Sequence, residues 1–389
     1  MRILYSHRTK AADGQRVHID GLTKALLNLG HDVLLCGPEG LTRPDESPSL
    51  DAGKGRSVMK YVPGPIYEFM EWGYGIAARQ RLMAAAKEFQ PDIIYERYNL
   101  YYHAASSVAQ KMRIPLMLEV NAPLVEERLK TDALAFPALA RRSERHIWQS
   151  ADAVLPVTRV LANIIQECGV PEDRLHVMPN GVEEFILHPA DGSAIRSRYN
   201  LENMTVLGFT GFVRDWHGVD RVIDWLATPD GQDTHLLLVG DGPAVPALRT
   251  QAEMKGVAGR FTVTGVVQRQ AIPAHVASFD IALQPAVTAY ALPLKLQEYM
   301  AQGRAILAPD QPNIREVVTP ENHALLFPPD DTAIFQQQLA RLSKDAGLRE
   351  RLGAAAREAL ISRDLTWTGN ARRVVEIAER LRLAKTQMS

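Results

Sequence analysis

The chain has 389 residues, of which 46% are hydrophobic and 23% are charged. This length exceeds what one hydrophobic core usually serves, so we expect two domains of roughly 180 residues each. The formal net charge of −1 argues against nucleic acid as the main partner, because proteins normally meet phosphate backbones with an excess of Lys and Arg.

The N-terminal segment MRILYSHRTK becomes polar too early for a signal peptide, and no apolar run of about 18 residues occurs in the chain. Two cysteines, Cys36 and Cys168, fall in a predicted strand and a predicted helix. This placement favours small buried hydrophobic residues over a disulfide or a metal site. We therefore expect a cytoplasmic protein that does not span a membrane.

In the first half, short apolar strands alternate with amphipathic helices. The chain begins with a predicted strand at Arg2–Ser6, a helix at Val17–Leu29 that ends at Gly30, and a strand at Asp32–Cys36. Further predicted strands are Asp92–Glu96, Leu116–Val120, Ala153–Val157 and Leu175–Met178.

The second half repeats this alternation and ends in a predicted helix at Trp367–Leu383. Its predicted strands are Thr205–Thr210, His235–Val239, Phe261–Thr264, Asp280–Leu283, Ala305–Ala308 and Leu325–Phe327. The pattern predicts two doubly wound, Rossmann-like α/β domains. We place a hinge in the polar segment Phe185–Leu201, which gives domains at 1–185 and 186–366.

Ligands of such sheets bind beyond the carboxyl ends of the strands, so the loops there are the first candidates for a site. Ala12-Asp13-Gly14-Gln15 precedes the first helix, and the backbone amide at Gly14 suits a diphosphate, although an ordinary turn explains the segment too. Gly240-Asp241-Gly242-Pro243 resembles half of a dinucleotide fingerprint. Val245 stands where the third glycine belongs, which weakens the case for a nicotinamide-dependent oxidoreductase.

The segment PLKLQEYMAQG, from Pro293 to Gly303, predicts a short helix that begins at the proline. The amides of Leu294, Lys295 and Leu296 would face a phosphate beside the Lys295 ammonium. The Glu298 carboxylate would accept two ribose hydroxyls. The alternative is an ordinary Lys295–Glu298 surface pair.

The loop GFVRDWHG follows the first strand of the second half. Gly211 opens the loop, Arg214 is a bidentate phosphate donor, and His217 is a second donor. In the alternative interpretation Arg214 is solvated and His217 caps the next helix.

In the first half, polar side chains lie at the ends of strands and helices: His18, Glu96, Arg97, Glu119 and Asn121. Asn121 follows the strand PLMLEV and is the best candidate to orient an acceptor hydroxyl or the transferred sugar. A structural hydrogen bond is the alternative for each of these residues.

A basic run at Arg141, Arg142 and Arg145, next to Ile147 and Trp148, raises the possibility of peripheral contact with an acidic membrane. A solvated helix face is the favoured interpretation, because the run is short and Glu144 interrupts it.

Together these segments resemble glycosyltransferase family 4, the retaining transferases of GT-B fold. The matching segments are DGQRVHIDGLTKALLNLGHDV, SADAVLPVTRVLANII, VMPNGVEEF, GFVRDWHG, VGDGP and PLKLQEYMAQGRAILAP. The resemblance implies an acceptor-binding first domain, a second domain that binds the nucleotide sugar across a cleft, and a C-terminal helix that crosses back to the first domain. It also implies that no metal or other cofactor is needed, and it matches Glu298 to the ribose-binding glutamate and Gly14 to the glycine near the diphosphate.

The chain departs from the family pattern at several positions. Tyr290 stands where the family has its first glutamate, Phe212 replaces an arginine, and His217 replaces a lysine. We expect Arg214 and Lys295 to supply the missing charge.

The predicted function is transfer of a sugar from a UDP- or GDP-sugar to a glycan, lipid-linked or small-molecule acceptor, in cell-surface or exopolysaccharide synthesis. The alternative is a non-catalytic nucleotide-sugar-binding protein or partner subunit of the same fold.

Overall fold

The computed structural model describes residues 1–9, 14–38, 40–44, 64–131 and 133–387. It divides into two compact units, Met1–Pro179 with Trp367–Ser389, and Asn180–Thr366. The division falls six residues before the boundary predicted at 185/186.

The first unit is built on a six-stranded sheet in the order β3-β2-β1-β4-β5-β6. Its elements in chain order are β1 (Arg2–Ser6), α1 (Gly14–Asn28), β2 (Asp32–Gly37), β3 (Gly40–Thr42), α2 (Gly64–Phe89), β4 (Ile93–Arg97), α3 (Ala104–Met112), β5 (Leu116–Val120), α4 (Leu124–Leu129), α5 (Pro137–Gln149), β6 (Ala153–Pro156) and α6 (Arg159–Glu167), with α16 (Trp367–Gln387) from the C-terminus. Every pairing is parallel except that of β2 with the edge strand β3. Helices cover a sheet whose inner strands are largely buried, as expected for parallel strands covered on both faces.

The second unit repeats the architecture with the order β12-β11-β10-β7-β8-β9, and all of its pairings are parallel. Its elements are α7 (Glu184–Leu187), α8 (Ser193–Arg198), β7 (Thr205–Thr210), α9 (Asp220–Leu226), β8 (Thr234–Val239), α10 (Val245–Met254), β9 (Phe261–Val263), α11 (Ile272–Ala277), β10 (Ile281–Leu283), α12 (Leu294–Ala301), β11 (Ala305–Pro309), α13 (Pro312–Arg315), β12 (Ala324–Phe327), α14 (Thr332–Lys344) and α15 (Ala346–Ser362). The two doubly wound sheets confirm the predicted α/β class.

The order of the strands creates one switch point in each sheet. In the second unit, β7 pairs with β8 on one side and with β10 on the other, so the chain winds in opposite directions from β7. The loops that follow β7 and β10 therefore diverge and leave a crevice at their carboxyl ends. The corresponding point of the first sheet lies between β1 and β4.

Two sequence predictions are wrong in detail. The segment Leu175–Met178 forms an isolated bridge from Leu175 to Val154 rather than a strand. The segment 185–201 is not a hinge, because it forms α7 and α8 and buries Ile186 and Leu201 in the core of the second unit.

The C-terminal helix α16 belongs to the first unit, where it packs against α1. A Cβ atom on Gly21 would lie 2.4 Å from the Trp367 indole nitrogen, so only a glycine allows this close packing. The His18 ring lies edge-on to Trp367, with the ring centroids 5.2 Å apart.

Cys36 is buried, as predicted, and burial raises the pKa of its thiol to about 11. Cys168 lies directly after α6 and is only partly buried. Among the described residues no helix is both long enough and apolar enough to cross a membrane.

Candidate functional site

The strongest candidate site lies at the switch point of the second sheet. The strand β7 ends at Thr210, and α12 begins at Leu294 after the loop that follows β10. The Tyr299 hydroxyl on α12 accepts a hydrogen bond of 2.9 Å from the Thr210 amide, which ties the helix to the end of β7. Residues far apart in sequence, at 211–217 and 294–298, are thereby brought together.

Lys295 lies at the centre of this site. Its ammonium nitrogen lies over the Phe209 ring, 3.8 Å from the centroid, and 3.6 Å from the position that a Cβ atom on Gly211 would occupy. Burial lowers the pKa of Lys295 to about 7, although Glu298 acts in the opposite direction. A desolvated cation with only a ring face beneath it favours binding of an anion.

His217 packs against the same ring, with its centroid 5.4 Å from that of Phe209. Its Nδ1 accepts a hydrogen bond of 2.9 Å from the Arg214 amide. Burial, followed by the charges of Lys295 and Arg214, lowers the pKa of His217 to about 3. The ring is therefore neutral, and because Nδ1 is an acceptor its proton lies on Nε2, where it can be donated.

Gly211 opens the loop that follows β7. Gly211 has a φ of +116°, a conformation that favours glycine. Its amide donates to the Val239 carbonyl at 2.9 Å, so it is not available to a phosphate. Arg214 is exposed, with its guanidinium 5.5 Å from the centroid of Phe212, and is free to reach a ligand.

The start of α12 provides two of the three amides predicted to face a phosphate. Within the described part of the chain, the amides of Leu294 and Lys295 have no acceptor, whereas the Leu296 amide donates to the Pro293 carbonyl at 3.2 Å. Pro293 caps the helix from an extended conformation rather than opening it. The prediction for Leu296 is corrected: this amide completes the first turn.

Glu298 is not the free carboxylate that the sequence suggested. It is buried and forms an ion pair with Arg269 through Oε1. Arg269 also forms a bidentate pair with Glu183, with distances of 2.9 and 2.7 Å. The Lys295–Glu298 surface pair of the alternative interpretation is thus replaced by a Glu183–Arg269–Glu298 triad, in which the two carboxylates outweigh burial and raise the pKa of Arg269.

The glycines of VGDGP have a structural explanation. A Cβ atom on Gly240 would lie 2.2 Å from the Gly211 carbonyl oxygen, and one on Gly242 would lie 2.1 Å from that of Val213. These glycines let the loop after β8 pack on the loop after β7. Their contact with a nucleotide stays a prediction.

In the first unit the predicted residues converge on Glu119, at the end of β5. Its carboxylate accepts hydrogen bonds from Asn121 at 2.6 Å and Tyr95 at 3.1 Å, pairs with Arg97, and lies 3.7 Å from His18 Nδ1. Burial opposes ionisation of this group, but Arg97, followed by His18 and Asn121, lowers the pKa of Glu119 to about 2. Asn121 therefore has a structural partner, and its contact with a sugar stays a prediction.

Glu96 at the end of β4 differs from Glu119. The Ser6 hydroxyl donates to it at 3.2 Å, and burial raises the pKa of its carboxyl to about 8. Gly14 is the first residue of α1, as its predicted role at a helix start requires. Ala12 and Asp13 lie outside the described residues.

Sequence reasoning missed Phe209, Arg269 and Glu183. Phe209 is part of an apolar strand and gave no sign of contact with a cation. Arg269 begins a short 3-10 helix, Arg269–Ala271, that carries no recognised motif. Glu183 stands in the quoted segment VMPNGVEEF, so the segment was noticed but not its ion pair. The described residues hold no group of three or more His, Cys, Asp or Glu side chains that could bind a metal ion.

Comparison with solved structures identifies the fold. HepE from Anabaena, solved with UDP, superposes with a TM-score of 0.72 at 17% identity, over 98% of this chain and 100% of that chain. Sucrose-phosphate synthase from Thermosynechococcus elongatus superposes with a TM-score of 0.75 at 16% identity, over 99% and 100%. The fold is that of the GT-B glycosyltransferases.

Sequence comparison then identifies the family. The model of Glycosyltransferase Family 4 matches residues 12–184, and that of Glycosyl transferases group 1 matches residues 204–345. The chain belongs to the family 4 glycosyltransferases, as its sequence motifs predicted.

Two curated relatives show the extent of the similarity. A GDP-mannose-dependent alpha-mannosyltransferase of Mycolicibacterium smegmatis is 25% identical over 90% of this chain and 91% of its own length. Alpha-D-kanosaminyltransferase of Streptomyces kanamyceticus is 27% identical over 225 residues, and that match spans 56% of this chain and 58% of the relative.

Proposed function

We propose that this protein is a retaining glycosyltransferase that takes its sugar from a UDP- or GDP-sugar. The acceptor is a glycan, a lipid-linked saccharide or a small molecule, in cytoplasmic synthesis of cell-surface or exopolysaccharide. One observation carries the proposal: the desolvated Lys295 ammonium lies at the start of α12, beside Gly211, at the switch point of the second sheet.

The chemistry follows from the charge that develops as the donor reacts. The bond between the anomeric carbon and the diphosphate oxygen breaks, and its electron pair leaves with the diphosphate. The acceptor oxygen bonds to the same carbon from the face that the diphosphate leaves, and its proton passes to the departing phosphate. Lys295, Arg214, the His217 Nε2–H group and the two unpaired amides of α12 stabilise the diphosphate charge, which is the role that a metal ion has in other transferases.

In this proposal Glu298 binds the ribose. Arg269 engages Oε1, and Oε2 has no partner within the described part of the chain, so it can accept a ribose hydroxyl. The ion pair with Arg269 holds the carboxylate in one orientation, and Arg269 therefore positions Glu298 rather than contacting the donor.

The relatives support a nucleotide-sugar donor but differ in the base. HepE was solved with UDP and with UDP-glucose, whereas two mannosyltransferases are named for GDP-mannose. Both bases therefore remain in the proposal.

A thermal-shift and turnover screen of the full chain tests the proposal. UDP, GDP and ADP, each alone and with common sugars, are added, because a ligand that binds only the native state raises the melting temperature. We expect a shift with UDP or GDP and slow hydrolysis of one of the corresponding sugars. No shift with any nucleotide diphosphate would contradict the proposal.

Glu183 provides a matched control for Glu298, since both pair with Arg269. We expect Glu298→Gln to remove most of the nucleotide-induced shift and Glu183→Gln to retain it. Equal losses in the two variants would show that the triad supports the fold and that Glu298 does not bind ribose.

A second candidate is a non-catalytic nucleotide-sugar binder, which Tyr290 favours. Tyr290 is only 7% exposed and stands where a donor-contacting carboxylate was expected. Binding of a nucleotide diphosphate without turnover of any sugar or transfer to any acceptor would favour this candidate.

A further inference from the structure

The N-terminal half of α2 turns its apolar side chains outward. Ile66, Phe69, Met70, Trp72 and Ile76 are each between 52% and 64% exposed. Most of them follow the spacing of one helical stripe, and Trp72 lies beside it. A helix on the surface of a soluble protein normally shows the opposite arrangement.

The buried face of the same half carries two carboxylates, which explains the orientation. Glu71 is 3% exposed and pairs with Arg8 at 2.9 Å and with Arg128 at 2.6 Å. Glu68 is equally buried and accepts a hydrogen bond of 2.6 Å from Tyr101. Rotating the helix to bury its apolar stripe would break these pairs, so the stripe is held outward.

The start of α5 extends the apolar surface. Phe136 packs edge-on against Phe69, with the ring centroids 5.8 Å apart, and Leu139 is 54% exposed. Farther along α5 the His146 ring lies 5.4 Å from that of His103. We call this the α2–α5 surface: Ile66, Phe69, Met70, Trp72, Ile76, Phe136 and Leu139.

The exposed charged residues of α5 and of α2 between residues 65 and 80 are arginines, whereas α4, which packs against α5, carries Glu126 and Glu127. Arg79 is the exposed charged residue of α2 between residues 65 and 80, and the exposed positions of α5 carry Arg141, Arg142 and Arg145 but no carboxylate. The Glu144 side chain is buried instead, where it accepts a hydrogen bond of 2.8 Å from Tyr98. Apolar side chains bordered by arginines fit the boundary between the acyl chains and the headgroups of an anionic bilayer.

The surface also contains an open pocket of about 290 Å³. Trp72 and Ile76 line one part of it, and Arg79, Tyr101 and His103 line another. A guanidinium next to aromatic rings suits a lipid phosphate at the depth where headgroups lie.

The geometry points to peripheral binding of the α2–α5 surface to an anionic lipid bilayer. From the sequence, the membrane contact was considered on α5 at Ile147 and Trp148. Both of these side chains are buried, and α2 supplies the exposed apolar side chains instead. It does not depend on the proposed function, although a lipid-linked acceptor would lie at such a surface.

Vesicle co-sedimentation of the full chain tests this inference. Vesicles of phosphatidylcholine alone are compared with vesicles that also contain phosphatidylglycerol. We expect binding to the anionic vesicles, and a loss of about tenfold or more in affinity for the double variant Phe69→Ser/Trp72→Ser. Ile361→Ser is the matched control, because Ile361 is 52% exposed on α15 of the second unit.

The triple variant Arg141→Gln/Arg142→Gln/Arg145→Gln tests the charge. We expect it to reduce binding to anionic vesicles, while Arg249→Gln on α10 leaves binding unchanged. Melting curves of all variants show whether they stay folded, and sedimentation equilibrium shows whether their oligomeric state differs from that of the wild type. The inference is overturned if anionic vesicles do not bind the wild-type chain, if the double variant binds as well as the wild type, or if Phe69→Ser/Trp72→Ser instead dissociates a dimer.

Discussion

The polar clusters near the switch points of the two sheets differ in how their buried charges are balanced by neighbouring groups. In the first unit, Glu119 is surrounded by hydrogen-bond donors and paired with Arg97, and Glu96 is protonated at neutral pH. In the second unit, Lys295 lies on a ring face, forms no ion pair with any carboxylate that the structure describes, and lies near a neutral His217. The first cluster is internally compensated, whereas in the second the Glu298 carboxylate is paired with Arg269 rather than with Lys295.

We infer from this difference that the cluster around Glu119 stabilises the fold, whereas Lys295 is available to bind a ligand. A buried group with all its partners present contributes to the free energy of unfolding. A desolvated charge without a partner destabilises the empty protein and is compensated when an anion binds. Substitutions in the two clusters should therefore have opposite effects on stability.

The largest effect is expected for Glu119→Gln. The amide cannot balance the buried Arg97 guanidinium, so we expect a loss of about 3 kcal/mol in the free energy of unfolding of the first unit, measured by urea denaturation. Asp32→Asn is the control, because it removes a pair with Arg43 in which both side chains are over 40% exposed. We expect that control to cost less than about 1 kcal/mol. Equal losses of stability in Glu119→Gln and Asp32→Asn would contradict the proposed difference between the clusters.

Lys295→Met should act in the opposite direction. It removes a desolvated charge, so we expect the empty protein to melt about 2 °C higher or more, while affinity for UDP or GDP falls by roughly 30-fold. Lys344→Met is the control, because Lys344 is 65% exposed and pairs with Asp230. Lower stability of the Lys295 variant without ligand would place this lysine among the structural residues.

The pKa of Lys295 also sets the pH dependence of that binding. A bound diphosphate favours the charged form and raises the pKa above its value of about 7 in the empty protein. The lysine's contribution to affinity is therefore complete below about pH 7 and is lost as the pH rises through the higher pKa of the complex. Calorimetric titration across this range should show proton uptake on binding, and Lys295→Met should abolish the uptake.

Glu96→Gln should change the pH dependence of stability rather than ligand binding. Burial raises the pKa of Glu96 from 4.5 to about 8, so the folded state retains a proton that the unfolded state releases. This group therefore lowers the free energy of unfolding as the pH rises from 4.5 towards 8. The variant should flatten this decline, whereas Glu88→Gln on the exposed face of α2 should not change it. An unchanged decline in Glu96→Gln would mean that this carboxyl is already ionised.

Much of the fold was readable from the sequence because strands and helices of this class carry strong local patterns. Apolar runs such as Leu116–Val120 are buried on both faces, and their boundaries match the prediction. The two wrong predictions concern segments whose local sequence pattern is weak. Leu175–Met178 is apolar enough for a strand but has only one bridge, and 185–201 is polar in sequence yet anchors Ile186 and Leu201 in a core.

The site was predicted in outline through its glycines and its helix start. Gly211, His217, Lys295 and Glu298 were recognised because turns, helix caps and charged side chains have short-range signatures. Their partners were not recognised. Arg269 and Glu298 are far apart in the sequence, and no local pattern indicates that their side chains pair. Leu296 was assigned a free amide because its bond to Pro293 depends on how the first turn of α12 forms.

The sequence by itself determined the class of fold, the family and the residues with the chemistry to bind a diphosphate. Those properties depend on composition, periodicity and spacing, which act over a few residues along the chain. Only the tertiary structure decided which charges are compensated. It paired Glu298 with Arg269, placed the Lys295 ammonium over the Phe209 ring, and turned the apolar face of α2 outward. The physical reason is that desolvation and ion pairing depend on neighbours in space, and strand order sets those neighbours.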